Sequence, residues 1–368
     1  MKRKLGDLAI IVKSKDSVEK IDRNKYVTTE NMISNRGGVS FPSSTVPKQK
    51  KLDIFDKDDV LVSNIRPYFK KIWKASFSGY KSGDVLAFRT KDRDILSQEY
   101  LYILLESDRF FEYMTTTAKG TKMPRGDKKA IAEFPFDLPS IDIQKKRSHQ
   151  IEVIEQKIRL NQQINANLLE LGLSLLTNTN FKKYQLLNDL LEVKDGTHSS
   201  PANVSNGGHP LVTSKAIKGV SVDFSQTKNI SEVDFAEINK RSLVEYHDIL
   251  VSMIGTVGII HLVTEKPVNY AIKNVGLIKS SNNKMLATFL YFYLLSNHGQ
   301  TYIKENLSGS TQQFISLTNL RKMQIPLLSE ISSELLKQLN YMAQQIEKNS
   351  KENNILISIK NSLLEKYF

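Results

Sequence analysis

Asp59-Val60-Leu61-Val62-Ser63 returns as Asp248-Ile249-Leu250-Val251-Ser252, a displacement of 189 residues (59 to 248). Each run is short and rich in β-branched and aliphatic residues, which predicts a strand. The same displacement carries Tyr100-Leu101-Tyr102 onto Phe289-Leu290-Tyr291, and Gly120-Thr121 onto Gly309-Ser310. Separate matches in one register point to a duplicated unit. Past the glycine the second copy is two residues shorter, so Leu138-Pro139 meets Ile325-Pro326. Gln156, Ile158, Asn161 and Leu168 then fall on Gln344, Ile346, Asn349 and Leu356, and Leu5, Asp7 and Leu8 resemble Leu187, Asp189 and Leu190 near the start of each copy.

The repeat is about half the chain, far longer than the ~20–50 residues of a solenoid unit. We therefore expect an α+β protein of two globular α/β domains, residues 1–142 and 179–328. Each is followed by a long helix, 143–178 and 329–368. Short β-rich runs (60–65, 85–88, 249–254, 257–263) recur in both domains. Each domain also offers an apolar helix, Gln98 to Met114 and Leu286 to Ile303, ahead of its glycine loop.

The 368 residues contain no cysteine, which excludes disulfide frameworks and thiolate metal sites and suits a reducing compartment. No apolar run approaches a membrane span, and Met-Lys-Arg-Lys leads quickly to Asp7 instead of a signal-peptide core. A soluble, cytoplasmic protein without membrane partners is the expectation. The net charge of +13 makes a polyanion the expected partner, since Lys and Arg that neutralise phosphates release condensed counterions.

Both helical segments carry a 3-4 apolar stripe too narrow to stand alone: Ile151, Ile154, Ile158, Leu168 and Leu175 in one, Leu335, Leu339, Met342, Ile346, Leu356 and Leu363 in the other. Each needs a partner, and the obvious partner is the other. Asn161 and Asn165 interrupt the first stripe, Asn349 and Asn353 the second. Asparagine within a coiled-coil seam lowers stability and sets register. The expectation is an antiparallel coiled coil with a pseudo-two-fold axis; the competing reading leaves the four asparagines on a solvated surface. About 30 helical residues at ~1.5 Å each would hold two domains some ~45 Å apart, comparable with the ~34 Å turn of B-DNA.

The copies differ most after the shared glycine. The first has Thr121-Lys122-Met123-Pro124-Arg125, preceded by Lys119, and the second has Ser310-Thr311-Gln312-Gln313-Phe314. Arginine pairs bidentately with guanine and glutamine with adenine in the major groove. Lys119, Lys122 and Arg125, and Thr311, Gln312 and Gln313, are thus candidate DNA contacts; the alternative for each tip is an ordinary solvated turn. Further candidates, chiefly for phosphates, are Lys48, Lys50, Lys51, Arg66, Lys70, Lys71 and Arg89 in the first domain. In the second they are Lys194, Lys215, Lys218, Lys273, Arg321 and Lys322, with Thr197 and His198 in Asp195-Gly196-Thr197-His198. Gly255-Thr256-Val257-Gly258 lacks the lysine and glycine spacing of a nucleotide loop and reads as a tight turn between strands.

Enzymatic signatures are missing. The six histidines include no metal-helix pair, and no glycine-rich methyl-donor loop, Asn/Asp-Pro-Pro-aromatic motif or Walker lysine occurs. No catalytic residue and no metal or cofactor site is expected on this chain.

With its duplicated domain and helix, Asp-Gly-Thr-His at 195–198, Asp248-Ile-Leu-Val-Ser, Gly255-Thr-Val-Gly, Gly309-Ser-Thr-Gln-Gln and Ile325-Pro-Leu, the chain resembles the specificity subunits of type I restriction-modification enzymes. The resemblance covers the whole chain and is looser in the first half, where Gly120-Thr-Lys-Met-Pro-Arg replaces the Ser-Thr-Gln form. It implies two target recognition domains, each reading half of a bipartite double-stranded DNA site, held apart by the two helices. It also implies docking to two modification (methyltransferase) subunits that bind S-adenosylmethionine and methylate adenine, and to restriction subunits that use ATP and magnesium. The specificity subunit itself is not an enzyme and holds no cofactor. A specificity subunit of another multi-subunit restriction enzyme, and a coiled-coil adaptor that does not read DNA, are the competing readings.

Overall fold

A computed structural model describes residues 2–47 and 51–368. Lys48 and Lys50, two of the candidate DNA contacts, lie outside the described residues. Contacts divide the chain into a first unit of residues 1–157 with 355–368, and a second of residues 158–354. The sequence-based division set each long helix apart as its own segment; by contacts, both helices are shared between the units.

Val60, Leu61 and Val62 are wholly buried, and so are Ile249, Leu250 and Val251, because each run is the middle of a sheet covered on both faces. In the first unit β1 (Ala9–Ile11), β2 (Val60–Ser63), β3 (Ile72–Lys74) and β4 (Val85–Thr90) form an antiparallel sheet in the order β1-β4-β2-β3. In the second β5 (Val193–Asp195), β6 (Ile249–Ser252), β7 (Ile260–Leu262) and β8 (Val275–Ile278) repeat it as β5-β8-β6-β7, again antiparallel. Alternation along the strand divides two cores. Val60 and Val62 face the helices and Leu61 the other layer, just as Ile249 and Val251 face the helices and Leu250 the other layer.

The other layer is where the units part company. Among the described residues the first has four short strands, Lys15–Ser17, Tyr26–Val27, Lys51–Phe55 and Gly79–Lys81; the second has three, His209–Val212, Lys228–Ile230 and Ala271–Ile272, with a helix at Glu232–Ser242.

The apolar helix expected in each domain is instead two helices. In the first unit α1 (Gln98–Glu106) and α2 (Asp108–Thr116) break at Ser107; in the second, α4 (Lys284–Leu295) and α5 (Asn297–Glu305) break at Ser296. Both serines are extended, with ψ of 151° and 165°. Ser107 Oγ donates to Leu104 O (2.7 Å) and accepts from the Phe110 N–H (3.3 Å), ending one helix and capping the next. Ser296 does the same with Tyr293 O and the Gly299 N–H.

Between these pairs runs α3 (Ile141–Thr177), and α6 (Ser333–Tyr367) follows them. Within the second unit, Asn161 Nδ2 donates to Asn353 Oδ1 (2.9 Å), and Asn349 Nδ2 donates to Asn165 Oδ1 (2.8 Å). The two helices therefore run in opposite directions there. Asn161, Asn165 and Asn353 are buried, so the solvated alternative does not hold for them; each amide meets another because an unpaired one would be costly.

Within the first unit the same helices meet through charge. Lys360 Nζ lies 2.6 Å from Glu106 Oε1 and 2.6 Å from Glu155 Oε1, and Tyr102 OH donates to both carboxylates at 3.2 Å. In the repeat, Lys360 corresponds to Gly172, where a Cβ would lie 2.3 Å from the Phe292 ring. The charged knot thus has an apolar, closely packed counterpart in the second unit. Among the described residues, no helix is long and apolar enough to cross a membrane.

Candidate nucleic-acid interface

Two loops meet at one edge of each sheet. In the first unit the turn after β2 lies against a hairpin closed by Lys119 and Arg125: Ile65 bridges Arg125, and the Arg66 N–H donates to Pro124 O at 2.8 Å. In the second unit the turn after β6 lies against the hairpin of Leu307–Ser308 and Phe314–Ile315, with Ile254 bridging Phe314 and the Ile315 N–H donating to Met253 O at 3.0 Å. Ile65 and Arg125 each lie 189 residues before their counterparts, so one loop pair is built twice.

The local sequence explains both loops. Arg66 and Gly255 stand at corresponding places with φ of 47° and 82°, a left-handed step that opens the turn and strains any residue but glycine. Gly255 to Gly258 is the tight turn expected from its sequence: Ser252 Oγ donates to Thr256 O (2.7 Å), and the Gly258 N–H closes onto Ser252 O (3.0 Å). Gly120 and Gly309 open the hairpins at φ of 91° and 90°, and a Cβ on Gly309 would lie 2.4 Å from Gln312 O.

The tips differ in chemistry. Lys122 at the first tip, and Thr311, Gln312 and Gln313 at the second, are exposed, and among the described residues their side chains have no protein partner. Arg66, Tyr68 and Phe69 stand exposed on the adjoining turn, the two rings 4.8 Å apart. Lys119 reaches Asp127 (2.5 Å) and Arg125 reaches Asp84 (3.3 Å), yet both remain more than half exposed. The Lys119 hydrogen bond holds the Asp127 carboxyl below its usual range.

Other candidates already hold partners inside their unit. Arg89 forms a fork to Asp59 (2.7 Å) and reaches Asp56 (2.6 Å), and the Asp59 hydrogen bond raises its pKa further. In the second unit Lys279 pairs likewise with Asp248, the repeat counterpart of Asp59, and with Glu245. Lys70 and Arg36 both pair with Asp108; burial works to raise that carboxyl, but their hydrogen bonds outweigh it and hold it low. Lys71 Nζ donates to Thr29 O (2.6 Å), and burial lowers its pKa. Both the Nε and Nη2 of Arg321 donate to Val193 O, at 3.0 and 2.8 Å. Lys194 meets Glu192 at 2.9 Å, and Lys273 meets Ser200 Oγ. A cation facing a carboxylate adds less to the field a phosphate feels.

Lys51, Lys215, Lys218 and Lys322 are exposed. His198 is two-thirds exposed yet held between Asp195 Oδ2 (2.9 Å, from Nε2) and Asn274 Oδ1 (2.7 Å, from Nδ1). Arg241 pairs with the other oxygen of Asp195, and Thr197 Oγ1 meets Ser199 Oγ at 2.8 Å. Sequence reasoning singled out His198 but missed Arg241 and Asn274. These lie 46 and 76 residues from their partners and carry no local signal.

The family model for the type I restriction modification DNA specificity domain matches this chain twice, over residues 1–170 and 179–359. The type I restriction enzyme EcoBI specificity subunit of Escherichia coli is 30% identical over 177 residues, 46% of this chain and 36% of that relative. The type I restriction enzyme MjaVIII specificity subunit of Methanocaldococcus jannaschii is 21% identical over 364 residues, 88% of this chain and 81% of that one. Among solved structures, a type I restriction-modification system S subunit from M. genitalium superposes with a TM-score of 0.52 at 15% identity, covering 100% of this chain and 96% of that one. At this identity the likeness is one of fold.

Proposed function

The chain belongs to the type I restriction modification DNA specificity domain family, and on that premise we propose that it reads a bipartite double-stranded DNA target, one half-site per unit. The observation that carries this reading is the duplicated loop pair. One framework of turn and hairpin is kept in both units while its tip changes from Lys122 and Arg125 to Gln312 and Gln313. Guanine offers two acceptors to arginine, and adenine an acceptor and a donor to glutamine. Free surface lysines such as Lys322 would hold the phosphates without reading sequence.

The two long helices are proposed to form an antiparallel coiled coil about a pseudo-two-fold axis, with Asn161, Asn165, Asn349 and Asn353 fixing its register. Paired buried asparagines support this, because a shifted register would leave their amides unpaired. The chain is a recognition component and not an enzyme. Methyl transfer with S-adenosylmethionine, and ATP- and magnesium-dependent translocation and cleavage, are assigned to two modification subunits and to restriction subunits docked on it in the cytoplasm. An adenine turned out of the duplex would enter the partner's pocket, so this chain selects where and the partner acts.

The test is co-expression with a modification subunit encoded beside it, followed by single-molecule mapping of methylated adenines across the host genome. Two short half-sites around a fixed gap are the expected result. An unmodified genome from a soluble, assembled complex would refute the reading.

A further inference from the structure

In the second unit the turn Gly255–Gly258 borders both the Gln312–Gln313 hairpin, through the bridge of Ile254 with Phe314, and an open basin of about 520 Å3. Thr256 and Ile259 of the turn line that basin, with Lys215, Lys218, Ser214 and Gln226 opposite. Its floor includes the buried side chain of Ile217. Its polar groups are unmatched. Among the described residues neither lysine has a carboxylate partner, the Gln226 amide has none, and Ser214 Oγ is buried without any hydrogen bond. Isolated cations beside an unsatisfied hydroxyl and amide suit an anion with several acceptor oxygens.

In the first unit the matching turn has a loop lying along it. There the loop at Asn35 and Arg36 is hydrogen-bonded along the turn, its N–H groups donating to Phe69 O (2.9 Å) and Lys70 O (2.8 Å). Two cations of that loop and turn, Arg36 and Lys70, converge on Asp108, while Arg66 on the same turn stays exposed. We infer that the basin of the second unit receives the phosphodiester backbone of the target duplex, Lys215 and Lys218 each neutralising a phosphate. One rigid turn then positions both the backbone grip and the hairpin tip of the second unit. The inference rests on the DNA-reading function proposed above.

The test uses the full chain and a fluorescent mixed-sequence duplex of about 40 base pairs, with affinity measured between 50 and 200 mM salt. Each phosphate neutralised contributes a slope of about −0.9 in log K against log salt. K215A/K218A should therefore flatten the slope by about 1.8, so that the parent loses about 12-fold more affinity than the variant over that fourfold range. Q312A, which removes no charge, should keep the parent slope. A folded double variant with the parent slope overturns the inference while leaving DNA reading intact. A parent chain, alone and with its modification subunit, that fails to bind any duplex at 50 mM salt removes the proposed function and the basin's role together.

Discussion

Lys360→Met removes a cation from between two buried carboxylates. Glu106 is fully buried, one of its oxygens lacks a partner among the described residues, and the side chains of Lys360 and Glu155 are only 11% and 17% exposed. Burial raises the Glu106 carboxyl against the pull of Lys360, while the two carboxylates raise Lys360 against its own burial. Without the lysine, Glu106 must be an unpaired buried anion or take up a proton. The first costs about 3–5 kcal/mol. The second sets a ceiling: keeping a carboxyl neutral at pH 7 from its ordinary value of 4.5 costs about 3.4 kcal/mol at 1.36 kcal/mol per pH unit. We expect a loss of about 2–3 kcal/mol at pH 7.

The sign of the pH dependence follows. An acid whose folded pKa lies above its unfolded value binds more protons when folded, so its stability falls as pH rises from 4.5 towards the folded pKa. In the variant that folded pKa moves further up. The deficit should therefore shrink to about 1 kcal/mol at pH 5 and be largest near pH 8. Trp73 is the only tryptophan and sits in β3 of the first unit, so its fluorescence in a guanidinium titration reports on this unit directly. K360M/E106Q should recover most of the loss at pH 8. Equal deficits at pH 5 and pH 8, or a deficit under about 0.5 kcal/mol at pH 8, would sink the reasoning.

Three further outcomes are expected. Q312A or Q313A should relax the methylated motif at one half-site and leave the other unchanged, whereas K322A should weaken binding to every sequence and flatten the salt slope by about 0.9; genome methylation mapping and anisotropy titrations separate the two. S107A and S296A each remove a helix cap and should cost about 1–2 kcal/mol in denaturant unfolding, against little for S107T or S296T, which keep the hydroxyl. His247 is buried with both ring nitrogens unpaired among the described residues, and burial pushes its pKa down to about 4. The folded state then binds fewer protons, so the second unit should lose on the order of 2 kcal/mol as pH falls from 6.5 towards 4. H247N, which tolerates the positive φ of that residue as Asp58 does in the first unit, should flatten that acid limb.

The duplication was legible because strand centres covered on both faces must be apolar without interruption and the hairpin glycines hold a positive φ that strains any other residue. Val60 to Val62, Ile249 to Val251, Gly120 and Gly309 all announce themselves. The serine breaks were not legible. Ser107 and Ser296 interrupt apolar patterns that continue at helical spacing on both sides, and a capping hydroxyl looks like any polar residue on a helix face. The charged knot was equally hidden: Lys360 and Glu106 are 254 residues apart, and each alone reads as surface charge. Nor does a sequence distinguish a paired cation from a free one. Arg89, Lys70 and Arg321 look as available as Lys122 or Lys215 until their carboxylate or carbonyl partners are seen.

The membership of residues 355–368 in the first unit bears on how the chain is made. Leu364 packs in the same core as Ile151 and Phe136, and Lys360 pairs with both Glu106 and Glu155. Translation at about 5–20 residues per second delivers the intervening ~200 residues in roughly 10–40 s. Throughout that interval the amino-terminal domain stands outside the ribosome with an uncovered apolar strip and two carboxylates awaiting their lysine. The second domain, encoded later, is complete first. Order of synthesis and order of completion are reversed, and a chain interrupted before residue 355 would be one whose earliest-made half is the unfinished one.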